Sequence, residues 1–280
     1  MSIIDGKMVA SQIKESIATE VQSLKKKTGK TPGLAVVLVG DDPASAVYVH
    51  NKNKTCNNIG FQSFENILPA NTSESELLNL IHELNNDEKV SGILVQLPLP
   101  NHIASKKILE AINPQKDVDG FHLENVGRLV TGHSLFKPCT PAGIIKLLDK
   151  YDVEIEGKNA VIIGRSNIVG KPVAFLLLER NATVTICHSR TKNLSNLARS
   201  ADILIAAIGK PNFVTADMVK DNSVVIDVGI NRLAGKLVGD VDFSAVLKKA
   251  SLITPVPGGV GPMTIAMLME NTFQAFKNSL

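Results

Sequence analysis

The feature that most constrains this fold is a repeated alternation of helical and strand-like segments. In the first hundred residues, helical periodicity alternates with short apolar runs, which predicts helices over 9–24, 43–59 and 73–84 and strands over 34–39, 61–68 and 90–97. Ser73, followed by Glu76 three residues later, forms a capping-box pattern at the start of the third helix. Gly29 offers a stop for the first helix.

The alternation restarts after residue 140 with more strongly apolar strands. They are predicted over 160–163, 183–187, 203–208, 224–228 and 252–253. Strands this apolar are typical of a parallel sheet that helices cover on both faces. The sequence therefore predicts two α/β domains joined between about 120 and 145, with a cleft between them where a substrate could bind.

Composition excludes several other classes of protein. The chain has 280 residues, 44% hydrophobic and only 4% aromatic, enough for two aliphatic cores. A net charge of +3 spread along the chain, without a basic arm, argues against nucleic acid and favours a small anionic ligand. No apolar run reaches the roughly 20 residues that a membrane span needs. The N-terminus lacks a signal-peptide pattern, so we expect a cytoplasmic protein.

Cysteine and histidine spacing indicates no metal site. The three cysteines are odd in number, far apart and without a C-x-x-C pair, so we expect isolated thiols in a reducing compartment. The six histidines show no metal-ligand spacing either.

Residues 160–172 are typical of a strand, a tight turn and a helix start. Gly164 would let the chain reverse, and Gly170 would let the helix lie close to the sheet. The N–H groups at the helix start would then be free to face a pyrophosphate. Ser166 stands where the usual fingerprint has its second glycine, and the spacing is one residue longer. By itself the turn fits either a dinucleotide site or an ordinary strand-to-helix connection.

The end of the next strand favours NADP over NAD. An NAD site places an acidic residue about 20 residues after the first glycine, where it accepts from the ribose 2′-hydroxyl. Residues 187–191 (CHSRT) contain no carboxylate. Ser189 and Arg190 would donate hydrogen bonds to a 2′-phosphate there, and Arg165 could supply a second positive charge. Alternatively, these are solvated loop residues.

The second helix carries a stripe of functional side chains. Ser45, Tyr48, Lys52 and Cys56 lie at i, i+3, i+7 and i+11, with Tyr48 and Lys52 one turn apart. Tyrosine can offer a flat face to a ring, and lysine can exchange protons if its surroundings lower its pKa. A helical lysine is more often a solvated head, and spacing alone does not distinguish Lys52 from Lys54.

Three further segments have unusual compositions. Gln96 ends a strand, where an open α/β sheet places its ligands, and is followed by a proline-rich exit. Residues 116–120 (KDVDG) place two acids before a glycine, which also fits an ordinary Asx-type turn. Residues 255–262 (PVPGGVGP) form a glycine-rich loop whose backbone amides could approach a flat ligand.

Together, these motifs resemble those of a known family. Eight segments occur in order: 45–56 (SAVYVHNKNKTC), 96–100 (QLPLP), 116–120 (KDVDG), 138–143 (PCTPAG), 164–170 (GRSNIVG), 187–191 (CHSRT), 227–231 (DVGIN) and 255–264 (PVPGGVGPMT). The chain resembles the bifunctional methylenetetrahydrofolate dehydrogenase/cyclohydrolase family from near its first residue to its last. The resemblance implies oxidation of methylenetetrahydrofolate with NADP, then hydrolysis of the methenyl product to 10-formyltetrahydrofolate.

The resemblance also implies a domain plan and an oligomeric state. Residues 1–138 with 264–280 would form a folate-binding domain, and 139–263 a Rossmann-type NADP-binding domain. A homodimer is implied.

Roles for individual residues follow from the same resemblance. Lys52 is implied as the catalytic lysine with Gln96 as its partner, Tyr48 as the residue that stacks on the folate, and Asp119 as the acceptor for the pterin. The remaining positions are Pro257, Gly258 and Gly259 for substrate and Gly164, Arg165, Ser166, Ser189 and Ile230 for cofactor.

Two other interpretations remain open from the sequence. One is another NADP-dependent oxidoreductase with an α/β substrate domain, such as a relative of shikimate dehydrogenase. The other is a binding or scaffold protein that keeps a nucleotide fold without catalysis, against which the presence of Lys52, Gln96 and Asp119 argues.

Overall fold

The computed structural model describes residues 2–280, apart from the side chain of Ala44. The chain divides into two compact units. The three-stranded unit comprises Gln12–Lys137 and Leu268–Leu280, and the six-stranded unit comprises residues 2–11 and Pro138–Met267. The first helix and the last helix each contribute residues to both units.

The helices and strands alternate along most of the chain. The helices are α1 (Gly6–Thr28), α2 (Pro43–Asn58), α3 (Glu74–Asn86), α4 (Ser105–Ala111), α5 (Leu123–Val130), α6 (Cys139–Lys150), α7 (Gly170–Glu179), α8 (Leu194–Arg199), α9 (Phe243–Val246) and α10 (Val260–Asn278), with a short 3-10 helix at Ala216–Met218. The strands are β1 (Ser2–Ile3), β2 (Gly33–Val39), β3 (Gln62–Leu68), β4 (Gly92–Val95), β5 (Asn159–Ile163), β6 (Thr183–Cys187), β7 (Ile203–Ala206), β8 (Val224–Asp227), β9 (Asn231–Leu233), β10 (Lys236–Val238) and β11 (Leu252–Ile253).

The three-stranded unit is built on a parallel sheet with β2 in the middle, in the order β3-β2-β4. Every residue of β2 is buried, because its apolar run is covered on both faces. One core cluster of this unit joins β2 and β4 to the apolar face of α3, whose buried residues include Leu77 and Ile81. The predicted capping box is confirmed, since Ser73 and Glu76 bond reciprocally at the start of α3.

The six-stranded unit is built on a second parallel sheet, in the order β1-β11-β8-β7-β5-β6. The chain moves outward from β5 to β6 and then returns to β7 on the other side. In open α/β sheets, ligands bind at such a reversal, outside the carboxyl ends of the strands. The expectation of two α/β domains with parallel sheets is confirmed.

Several short elements were not predicted from the sequence. Strand β1 has two residues, and the antiparallel hairpin of β9 and β10 has three residues a strand. Such segments are too short for a period of two to be visible in the sequence. No helix in the described part of the chain is long and apolar enough to cross a membrane. All three cysteines are free, and all three are buried.

Candidate functional site

A buried lysine and a fixed amide meet in the three-stranded unit. Lys52 on α2 is only 8% exposed, and its Nζ donates to Oε1 of Gln96 over 2.9 Å. Gln96 directly follows β4, and its Nε2 donates to the Leu97 carbonyl over 2.8 Å. An ammonium needs an acceptor and a carbonyl needs a donor, so only one orientation of the amide satisfies both contacts. Gln96 therefore holds its oxygen toward Lys52.

The structure distinguishes the two lysines that helical spacing could not. Lys54 is exposed, whereas Lys52 is buried and bonded to Gln96. Tyr48, one turn before Lys52, is 38% exposed, which leaves part of its ring accessible, and burial of the rest raises the pKa of its hydroxyl. Burial raises the pKa of Cys56 to about 12, so its thiol stays protonated at neutral pH.

The two acids of the KDVDG segment have different surroundings. Asp117 is 1% exposed and accepts from the backbone N–H of His122 and from Nδ2 of Asn125, both over 2.8 Å. Burial raises the pKa of Asp117, and these hydrogen bonds oppose the rise. Asp119, two residues later, is only partly buried. Asp117 is therefore part of the turn, and Asp119 is the acid of this pair that a ligand could reach.

Two asparagines that the sequence did not point to hold this turn. Nδ2 of Asn271 on α10 donates to the carbonyls of Val118 and Lys137, over 2.8 and 2.9 Å. Asn125 on α5 reaches the Pro114 carbonyl in addition to Asp117. The partners of Asn271 lie more than 130 residues away, so a single sequence gives no pairing signal. Polar neighbours in α10, such as Glu270 and Thr272, leave Asn271 without a distinguishing mark in the sequence.

In the six-stranded unit, the predicted phosphate turn is tightly built. Gly164 has φ +132°, and a Cβ there would lie 2.2 Å from the Ala207 carbonyl oxygen. A Cβ on Gly170 would lie 2.3 Å from the Gly164 carbonyl oxygen, so α7 does lie close to the turn. Both glycines are required because the backbone itself occupies the space of a side chain.

Ser166 changes one expectation about this turn. Its hydroxyl accepts from the N–H groups of Val169 and Gly170, over 3.1 and 3.3 Å, and its carbonyl accepts from the N–H of Lys171 over 3.0 Å. The expectation of free N–H groups at the helix start is therefore wrong for these three. With both lone pairs engaged, the hydroxyl hydrogen is left to donate outward, and Ser166 is exposed.

The turn after β6 lies next to the phosphate turn. The last residues of β5 and β6, Ile163 and Cys187, are paired in the sheet, so both following turns leave the same edge. His188 and Thr191 close the second turn with two hydrogen bonds of 2.8 and 2.9 Å. Ser189 is exposed at its tip, and Arg165 is exposed in the first turn. The structure therefore places a hydroxyl and a guanidinium on neighbouring turns.

Two buried carboxylates organise the loops after β7 and β8. Asp240 is fully buried and accepts from the N–H groups of Ile208, Gly209 and Lys210 and from Nδ2 of Asn231, over 2.7–3.0 Å. Asp227 accepts from three backbone N–H groups, those of residues 229, 240 and 241. Burial raises the pKa of Asp227 to about 6, and these hydrogen bonds oppose the rise. Ile230, beside Asn231, is 48% exposed, so its side chain is accessible.

The glycine-rich loop follows β11 in the same unit. The Thr254 hydroxyl accepts a hydrogen bond of 2.7 Å from the N–H of Asp227, which connects the loop to β8. Pro257 is exposed, while Gly258 and Gly259 are buried, and Gly258 has φ +109°. The proposed substrate residues therefore divide between the units: Pro257–Gly259 lie in the six-stranded unit, and Tyr48, Lys52, Gln96 and Asp119 in the three-stranded unit.

Comparison with known families gives matches to both parts of the chain. Residues 4–119 match the family model described as the tetrahydrofolate dehydrogenase/cyclohydrolase catalytic domain. Residues 138–280 match the NAD(P)-binding domain of the same family. A curated relative from Campylobacter hominis, the bifunctional protein FolD, is 60% identical over 100% of this chain and 99% of its own length.

Solved structures agree with the sequence comparison. The bifunctional FolD enzyme of Campylobacter jejuni is 55% identical, with a TM-score of 0.98 and full coverage of both chains. The Trypanosoma brucei dehydrogenase-cyclohydrolase, solved with NADP cofactor and an inhibitor, is 40% identical, with a TM-score of 0.96 over 100% of this chain and 98% of that one.

The alternative relative shares only the fold. Shikimate dehydrogenase of Aquifex aeolicus is 13% identical, with a TM-score of 0.56. A likeness at this level carries no information about substrate. By the matches to both of its parts and by its full-length relatives, the chain belongs to the tetrahydrofolate dehydrogenase/cyclohydrolase family.

Proposed function

We propose that this enzyme oxidises 5,10-methylenetetrahydrofolate to 5,10-methenyltetrahydrofolate with NADP and then hydrolyses the product to 10-formyltetrahydrofolate. The observation that carries the proposal is the buried Lys52 ammonium bonded to the fixed Gln96 amide, in a chain of this family. The relatives from Campylobacter hominis and Campylobacter jejuni are named as bifunctional, which supports both activities.

The first reaction demands little proton chemistry from the protein. Lone pairs on the two nitrogens beside the methylene carbon stabilise the cation that hydride loss creates. When bound, NADP supplies the hydride acceptor. The protein must therefore orient the folate, and an accessible Tyr48 ring fits stacking against a flat heterocycle. Asp119 would accept from the pterin's amino group and ring N–H.

The second reaction needs a group that moves protons. Water attacks the methenyl carbon and loses a proton, and a ring nitrogen must gain one before the ring opens. As the neutral amine, Lys52 would accept the first proton, and the ammonium so formed would deliver it to the ring nitrogen. The hydroxyl adduct then loses a further proton to water as the C–N bond breaks and the formyl group forms. Gln96 would keep the ammonium in one place through its fixed oxygen.

The residues of the phosphate turn fit NADP. The close turn at Gly164 leaves no side chain between the backbone and a ligand, and the Ser166 hydroxyl can donate to a phosphate oxygen. Ser189 and Arg165 would bind the 2′-phosphate, and no carboxylate in residues 187–191 would repel it. Ile230, exposed beside the Asp240 network, would contact the cofactor through its apolar side chain.

Arg165→Ala should weaken NADP binding and spare NAD. A charged hydrogen bond to phosphate is worth about 1.5–3 kcal/mol. NAD lacks the 2′-phosphate and never makes this bond, so its affinity should not change. Fluorescence titration with each cofactor measures the two losses. Arg180→Ala is the matched control, because Arg180 lies at the far end of α7, the helix that follows the turn, where it pairs with Asp149 over 2.8 Å. Equal losses of NADP and NAD affinity would contradict the assignment of Arg165.

A homodimer and a cytoplasmic location complete the proposal. Strand β6 is at the edge of its sheet, and Ile186 on it and Leu178 on the adjoining α7 are 38% and 57% exposed. An apolar sheet edge is suited to pairing with a second copy. Light scattering should give twice the chain mass of 30.0 kDa.

The three free thiols fit a reducing compartment, which supports the cytoplasmic location.

An ultraviolet assay of methenyltetrahydrofolate formation with NADP tests the function directly. The wild-type enzyme should form the methenyl product and then consume it, while Asp119→Ala should be impaired in both steps because both use the same bound ring. A folate titration of the variant accompanies the assay. If Asp119→Ala binds folate normally, Asp119 is only a turn residue, and if the wild type shows no turnover, the proposed function is wrong.

A further inference from the structure

The first residues of the chain run alongside the glycine-rich loop. The N–H of Ile4 donates to the Ile253 carbonyl over 2.8 Å, and the N–H of Lys7 donates to the Gly258 carbonyl over 3.1 Å. Strand β1 continues this pairing backward, with Ser2 opposite Leu252. The segment from residue 2 to residue 7 therefore follows the chain from β11 into the loop.

Gly6 makes the closest approach. A Cβ on Gly6 would lie 1.8 Å from the Gly259 carbonyl oxygen and 3.1 Å from that of Gly258. A separation of 1.8 Å between a carbon and a backbone oxygen is far inside van der Waals contact, so any side chain here would force the loop to move. Because Gly6 is buried at this position, the backbone of the loop rests directly on the backbone of the chain's start.

The start of the chain is itself fixed. The N–H of Asp5 donates to the Tyr151 hydroxyl over 2.7 Å, and the Asp5 carboxylate caps α1 through the N–H of Met8 over 3.0 Å. Ile4 is fully buried. A segment anchored on both sides of Gly6 can hold the loop in one place.

We propose that Gly6, with the backbone N–H of Lys7, positions loop 255–259 for the folate substrate. Gly6 is a positioning residue: it acts through Gly258 and Gly259. This inference rests on the proposed function, in which that loop contacts folate. It predicts that a change at residue 6 alters the affinity for both folate substrates and leaves NADP binding in place, because the phosphate turn at residues 164–170 has no bond to this segment among the described residues.

Gly6→Ala tests the proposal, with Gly127→Ala as the matched control. Gly127 lies in α5, and a Cβ there meets nothing within 4 Å. We expect KM for methylenetetrahydrofolate in the dehydrogenase assay, and for methenyltetrahydrofolate in the hydrolysis assay, to rise at least about 10-fold in Gly6→Ala. The NADP dissociation constant should stay within about 2-fold, and Gly127→Ala should match the wild type in all three values.

A second variant covers the case in which Gly6→Ala does not fold. Lys7→Pro removes the N–H that bonds Gly258, together with the lysine side chain, at a position in the first helical turn where proline is tolerated. Lys7→Ala is its control, because it removes the same side chain and keeps the N–H. Lys7→Pro should raise the same two KM values, and Lys7→Ala should not. Unchanged folate KM values, or an equal loss of NADP affinity, in the folded variant would overturn the positioning role while the proposed function stands. A wild-type enzyme without folate turnover would overturn both.

Discussion

Lys52→Met should lower cyclohydrolase activity by about 10²–10⁴-fold, the range typical of a general acid–base group, with a smaller loss of dehydrogenase activity. Methionine keeps the length of the buried stem and removes both the charge and the basicity. Hydride loss is driven by lone pairs already present in the substrate, so Lys52 contributes there only through orientation and local field. Water attack and ring opening have no such internal help.

The measurement separates the two activities in one preparation. The purified variant is assayed on methylenetetrahydrofolate and on methenyltetrahydrofolate, after circular dichroism and NADP titration have shown that it is folded. Lys54→Met is the matched control, because the same change is made two residues along α2 on an exposed side chain. Undiminished hydrolysis in Lys52→Met, above the spontaneous rate, would show that Lys52 is not the proton carrier. A loss in Lys54→Met instead would transfer the role to that residue.

Asp240→Ala should destabilise the six-stranded unit by about 3–5 kcal/mol. Its carboxylate accepts hydrogen bonds from three consecutive backbone N–H groups and from one side-chain amide, and the residue is fully buried. Each buried donor that loses its partner costs about 1–3 kcal/mol, and water that enters the vacated space recovers part of the sum. Alanine has no acceptor atom for these hydrogen bonds, and its side chain is too small to fill the space.

Urea unfolding and NADP titration measure this second effect. Asp242→Ala is the control, since Asp242 caps α9 by accepting from the N–H of Ala245 over 3.2 Å, and loss of such a cap costs about 1 kcal/mol. NADP affinity should fall in Asp240→Ala, because Asn231, beside Ile230, loses its anchor. If the two variants were equally stable, Asp240 would not organise these loops.

Much of the layout could be predicted because local pattern and final packing agree. The predicted strands are strands of the two parallel sheets, and their ends differ from expectation by at most two residues. Lys52 is an example of a functional residue that the local pattern cannot identify. Helical spacing presents Lys52 and Lys54 equally, and the resemblance selected Lys52. Its burial against Gln96 depends on β4, which lies about 40 residues further along the chain.

The supporting network could not be predicted, for the same physical reason. Asp240 gathers donors from residues 208–210, and Asn271 reaches Val118 across more than 150 residues. No local periodicity marks such pairs. Ser166 is a different case: its position in the turn was visible, but a hydroxyl can accept and donate, and only the geometry shows that it accepts from the start of α7.

The pairing of β1 with β11 has a consequence for biosynthesis. Ser2 is synthesised about 250 residues before its partner Leu252, an interval of roughly 12–50 s at ordinary rates of translation. Throughout that interval the nascent chain carries an unpaired first strand, and Leu268–Leu280, which completes the three-stranded unit, is still to be made. Neither unit can finish folding before these late segments have been synthesised. We therefore expect both cores to close late, and the polypeptide to depend until then on whatever shields apolar surface in the cell.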